Sequence, residues 1–202
     1  MNPDQNQYSI DYLNQIAPEP KKPGLSNKLF LLIAGGGLLL AVIAGIFIFT
    51  SGGSAGPKDK MQTLAARMET LHTIASKAQK NIKSSDLRST NSNLVIFLTN
   101  ANRDIVDPLA ANGVDMKKPN KEIVAAEKGE ALSEKIENAR LNAVFDRVYS
   151  REMGYQLDTI AALMQDIHSK TKSKSLQEFL VKTDANLQPI KKQLTEFNAA
   201  NG

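Results

Sequence analysis

The chain has no cysteine and no tryptophan, and only two of its 202 residues, His72 and His168, are histidine. Without cysteine there is no disulfide, no thiol nucleophile, no thiolate metal site and no lipidated cysteine. If the chain has an exported domain, packing alone must hold it together. Serines are plentiful, but two lone histidines on different predicted helices make no recognisable triad. Charge of either sign is scarce in excess: 25 Lys and Arg against 21 Asp and Glu leave +4. That excess is too mild, on a chain without tryptophan, to point to nucleic acid. No glycine-rich phosphate loop occurs, because Gly35, Gly36 and Gly37 lie inside an apolar run. After that run there is no glycine-punctuated β-branched stretch, so the predicted fold class is all-α.

The apolar run, residues 29–50, LFLLIAGGGLLLAVIAGIFIFT, contains no charge. As a helix its 22 residues reach roughly 33 Å, enough to cross the hydrocarbon core of a bilayer with a little tilt. It exceeds the roughly 7–15-residue centre of a cleavable signal and has 28 residues ahead of it, which favours an uncleaved signal anchor. Gly53, Ser54 and Ala55 form the alternative, a small-residue cleavage site. The expected layout is a tail (1–28), a single transmembrane helix (29–50), a flexible linker (51–56) and a helical domain (57–202) of four or five helices. Lys21, Lys22 and Lys28 lie close before the span, whereas the first charge after it is Lys58. This lysine bias places the tail in the cytoplasm and the domain outside it.

Within the span, Gly37, Ala41 and Gly45 repeat at four-residue spacing and put small residues on one face, where a second copy could approach. Glycine and alanine are also common in membrane helices without such a role. In the tail, Tyr8, Tyr12, Leu13 and Ile16 share one side of a short helix that Pro18 would stop. Ten residues do not hold a helix alone in water. The segment is either a docking motif for a cytoplasmic protein or an unstructured tail with incidental apolar residues. APEPKKP then reads as a stiff extended spacer. KKPG before the span resembles a type IV pilin leader, which would make the chain a pilus or secretion-apparatus subunit starting at Leu25; the fifth position counted from Leu25 is Leu29, directly after Lys28, where the pilin pattern has glutamate.

Beyond the linker, Met61, Leu64, Met68, Leu71, Ala75, Ala78 and Ile82 alternate spacings of three and four, the seam of a bundle helix. A second helix carries Leu87, Leu94, Leu98, Ala101, Ile105 and Leu109, with Asn91 at the missing step, a kink expected at Asp107-Pro108 and a stop at Asn112-Gly113. A more polar third helix is predicted over 122–137, with a break around 138–142. The fourth carries Val144, Phe145, Val148, Met153, Leu157, Ile160, Leu163, Met164 and Ile167. The fifth, opened by a predicted Ser175/Glu178 capping box and bent at Pro189, carries Leu176, Phe179, Leu180, Leu187, Ile190, Leu194 and Phe197.

FDRVY at 145–149, SLQEFLVKTDANLQPIKKQL at 175–194 and IVDPLAANGVDM at 105–116 resemble the corresponding phrases of an exported, ferritin-like bundle family. That family is common in bacteria, is usually labelled an outer-membrane protein and has no assigned activity. The resemblance covers residues 61–197 in order and spacing, and implies a four-helix bundle with the third segment as a crossover. Histidines typical of the family fall where this chain has Asn102, Gln156 and Gln193, which weakens any metal function; a degenerate ferritin-like metal-binding bundle is an alternative reading.

Glu69 and His72 have the E-x-x-H spacing of di-iron bundles, but the second helix has no glutamate, and Gln165 stands three residues before His168. No metal, cofactor or catalytic residue is expected. Two lysine clusters remain: Lys117, Lys118 and Lys121, and Lys170, Lys172 and Lys174. If each helical segment reverses direction, both turns return to the end where the chain enters, and there they would meet a membrane surface. The expected function is a non-enzymatic envelope tether or scaffold.

Overall fold

The computed structural model describes residues 56–201, which form α-helices and turns with no strand among them. The predicted tail and span lie outside the described residues. Among the described residues no helix is long and apolar enough to cross a membrane. The helices are α1 (Pro57–Ala78), α2 (Ser85–Asp104), α3 (Val106–Ala111), α4 (Lys121–Ala126), α5 (Glu130–Leu141), α6 (Phe145–Lys170) and α7 (Lys174–Asn201).

Local chemistry explains most of the boundaries. Pro57 takes the first helical position of α1, where a missing N–H costs nothing, and Asp59 accepts the Gly56 N–H at 3.1 Å. Ser84 caps α2 through the Leu87 N–H. α2 stops at Asp104, the residue whose carbonyl would face the proline at 108, and the chain resumes as α3 after Ile105. Gly113, with φ of +72°, then closes α3: its N–H donates to the Ala110 carbonyl, and the N–H of buried Val114 donates to that of Leu109. This is the paired bonding of a Schellman stop.

Four long helices build the core. α1 packs on α2 and α6, and α7 packs on α6 and α2, so the order around the bundle is α1, α2, α7, α6. Lys60 near the start of α1 meets Asp166 near the end of α6, which makes these two antiparallel. The turn between α1 and α2 donates Lys83 and Ser84 N–H groups to the carboxylate of Asp146 in the first turn of α6. α2 and α6 therefore begin at the same end and run the same way, and residues 105–144 must carry the chain back along the bundle. This crossover lays α4 on α1 and α5 on α6.

Every seam residue predicted for the first two helices is buried, from Met61 to Ile82 and from Leu87 to Leu109. In α6 and α7 the predicted stripe is buried except Val144, Val148, Leu163 and Phe197, which are half-buried. Two expectations are corrected. The third helix is not continuous: it breaks at 127–129, where Glu127 turns inward and Gly129 takes φ of +66°. A Cβ on Gly129 would lie 2.7 Å from Thr70 Cγ2, so the close pass of the crossover over α1 requires glycine. The start of α7 is also displaced, because the helix begins at Lys174 and Ser173, not Ser175, accepts from the Leu176 N–H at 3.5 Å. Through Pro189 the helix runs without interruption.

Candidate functional site

The interior holds few polar groups. Arg67 is 6% exposed and Glu127 8%. Arg67 Nε and Nη2 donate to the two Glu127 carboxylate oxygens at 2.8 and 2.7 Å, and Thr70 Oγ1 donates to the Glu127 carbonyl at 2.6 Å. This two-pronged pair fastens the crossover to α1. On the other side of the core, the Tyr149 hydroxyl donates to Asn91 Oδ1, and Asn91 Nδ2 donates to the Ala75 carbonyl at 3.0 Å and to Gln79 Oε1. Asn91 thus fills the missing step of α2 by joining α1, α2 and α6. Burial pushes the Tyr149 phenol well above its ordinary range, so it stays a donor. Ser150 Oγ donates to Asn198 Oδ1 at 2.5 Å. Among the described residues no buried side-chain nitrogen or oxygen lacks a hydrogen-bond partner.

Sequence reasoning missed Arg67 and Tyr149, although both carried a signal. Arg67 stands three after Leu64 and four before Leu71, on the apolar seam itself. Tyr149 stands four after Phe145 and four before Met153, and its ring stacks on Phe145 at 5.6 Å between centroids. A charge or hydroxyl at a seam position requires a buried partner.

The E-x-x-H residues lie outside the core and meet α2. His72 Nε2 shares a hydrogen bond with Thr99 Oγ1 at 3.0 Å, and Asn102 Nδ2 donates to Glu69 Oε2 at 3.0 Å. Among the described residues no group of three or more His, Asp or Glu could hold a metal ion.

The two lysine clusters come to one end, the end at which Pro57 starts α1. Gly113 lies against the Lys58 side chain, and the Asn120 N–H donates to Gln62 Oε1 at 2.9 Å, which puts the turn with Lys117, Lys118 and Lys121 beside the first turns of α1. Lys60 Nζ donates to Asp166 Oδ2 at 2.7 Å, and Lys170 Nζ donates to Asp166 Oδ1, which brings the turn with Lys170, Lys172 and Lys174 to the same end. The Lys170 and Lys60 ammonium groups hold the Asp166 carboxyl below its ordinary range. The tail residues Tyr8, Tyr12, Leu13 and Ile16 and the span residues Gly37, Ala41 and Gly45 lie outside the described residues.

Comparison of the chain with protein-family models, with curated proteins and with solved structures finds no match.

Proposed function

We propose that the chain is a non-enzymatic membrane-anchored scaffold. Residues 29–50 cross a bilayer, residues 1–28 form a cytoplasmic handle, and the bundle stands on the extracytoplasmic side. One observation carries the non-enzymatic reading: the interior is given over to apolar packing, and its buried side-chain polar groups are bound within the chain. The buried polar pairs described above, Arg67 with Glu127 and Tyr149 with Asn91, fasten helices to one another and do not pair a nucleophile with a base. The uncharged run and the lysines before it support the anchor and its orientation. The single long crossover between α2 and α6 has the connectivity of ferritin-like bundles, which supports the resemblance to the exported family.

A cysteine-free chain makes the test direct. Single Ser9→Cys and Lys83→Cys variants, expressed in intact cells and treated with a membrane-impermeant maleimide, separate the two sides. Labelling of Lys83→Cys but not Ser9→Cys, with the chain retained in carbonate-washed membranes, is the expected result. Release of the intact chain by carbonate overturns the anchor. Tail docking is tested by pull-down with the 1–28 peptide, in which a specific partner is retained and is lost on replacing Tyr8 and Tyr12 by alanine.

A further inference from the structure

We propose that the groove between α2 and α7 holds an uncharged β-1,4-linked glycan strand, an inference that rests on the extracytoplasmic placement above and names what the scaffold holds. The groove measures about 870 Å³, within the range of ligand sites. Two features set it apart, and the first is Thr183. Among the described residues six polar or charged residues are buried, and five of them use their side chains within the chain. Arg67 binds Glu127, Asn91 binds Tyr149, Thr90 donates to the Asp86 carbonyl and Ser150 donates to Asn198. Thr183, only 5% exposed, bonds no described group through its side chain, and it lines the groove. No fully buried side-chain nitrogen or oxygen of the described residues lacks a partner, so the Thr183 oxygen opens to the groove.

The second feature is a ladder of side-chain amides. Ser150 near the start of α6 meets Asn198 near the end of α7, so α7 runs opposite to α6 and therefore to α2. The Asp104 carboxyl, held below its ordinary range by the hydrogen bond from Arg103, also feels the Lys182 ammonium of α7. From that level, four residues back along α2 and four forward along α7 bring Asn100 opposite Asn186, and seven more bring Asn93 opposite Gln193. All four amides are exposed and bond no described group through their side chains. Between the two rungs, Ile96 and Phe97 stand opposite Pro189 and Ile190. An amide donates and accepts, as the hydroxyls of a sugar do, and the apolar rung suits the C–H face of a sugar ring. The rungs lie about 10.5 Å apart, close to the repeat of a β-1,4-linked disaccharide. In an extended peptide that distance is about three residues, and the third residue along points the opposite way, so successive rungs would meet unlike edges. The lining has five charged residues, Arg103, Asp104, Asp107, Glu178 and Lys182, all toward the α3 end; they nearly cancel and offer a polyanion no field.

The test is a calorimetric titration of the full chain, held in phosphatidylcholine nanodiscs, with the β-1,4-linked hexamer of N-acetylglucosamine. Saturable binding at one site is expected. Replacing Asn100 and Asn186 together by alanine should weaken it about tenfold or more, since two hydrogen-bonding groups are lost. Thr183→Val keeps the shape of the side chain and should weaken binding about threefold or more, with a urea midpoint no lower than that of the parent chain, because no bond within the chain is broken. The α-1,4-linked glucose hexamer, which coils away from the rung repeat, should bind far more weakly. The glycan groove is overturned by absence of hexamer binding, by unchanged affinity in the double variant, or by equal affinity for the two hexamers. It is equally overturned by a Thr183→Val chain that loses stability without losing affinity, or by capture of an uncharged serine-rich peptide in place of the hexamer. None of these readouts depends on which side of the membrane the bundle occupies. Shielding of Lys83→Cys from the impermeant maleimide overturns the placement while leaving the titration intact.

Discussion

Ala143 ends α5 in a conformation that suits glycine. Its φ is +58°, its N–H donates to the Arg140 carbonyl, and the Val144 N–H donates to that of Ala139, the same paired stop that Gly113 makes after α3. A Cβ in the left-handed region costs roughly 1–2 kcal/mol. Ala143→Gly should therefore raise stability by about 1 kcal/mol after the entropy of the freer unfolded chain is deducted, read as a higher urea midpoint at unchanged slope. Gly129→Ala should do the reverse and more, losing about 2–3 kcal/mol, because strain at φ of +66° adds to the 2.7 Å approach to Thr70. Tyr149 supplies a pH signature. Its folded-state pKa lies above the ordinary value of 10.0, so its contribution is complete below pH 10 and is lost as pH rises beyond it, when the unfolded chain ionises first. Stability should fall by about 1.4 kcal/mol per pH unit there from this group. Tyr149→Phe should remove that slope and cost about 1–2 kcal/mol at neutral pH by leaving Asn91 Oδ1 without its donor. Urea titrations at pH 7 and above pH 10 read both effects.

At the scale of elements, the four core helices were legible because each shows one apolar stripe at helical spacing, and burial follows that stripe almost residue for residue. The crossover was not. Its six-residue α4 has no buried residue and no stripe, and its path is decided by Glu127, which looks like an ordinary solvated charge until Arg67 is seen beneath it. The lysine turns, by contrast, could be placed at one end by counting reversals. The Arg67–Glu127 pair can be weighed directly. Arg67→Met or Glu127→Gln alone strands a buried partner and should cost about 3 kcal/mol. The double variant should cost clearly less than the sum, the mark of direct coupling in a double-mutant cycle. Amide exchange over 112–130 should accelerate in each single variant while the interior of α7 stays protected.

At the scale of the whole molecule, the question is whether the bundle needs what precedes it. Its cluster of buried apolar residues begins at Met61 and ends at Leu194, and the described polar interior is satisfied within the same residues. Residues 56–201 belong to one compact unit, which contains that whole cluster. Its 146 residues from Pro57 onward are ample for one hydrophobic core. A fragment beginning at Gly56 should therefore be soluble and strongly helical by circular dichroism. It should unfold in one cooperative urea transition, with fluorescence of the buried Tyr149 changing in step with helicity. If the two probes part, or if the fragment binds a hydrophobic dye as an expanded state does, the bundle is not self-sufficient. Coincident transitions would mean that the bundle is self-sufficient, as the proposed scaffold requires.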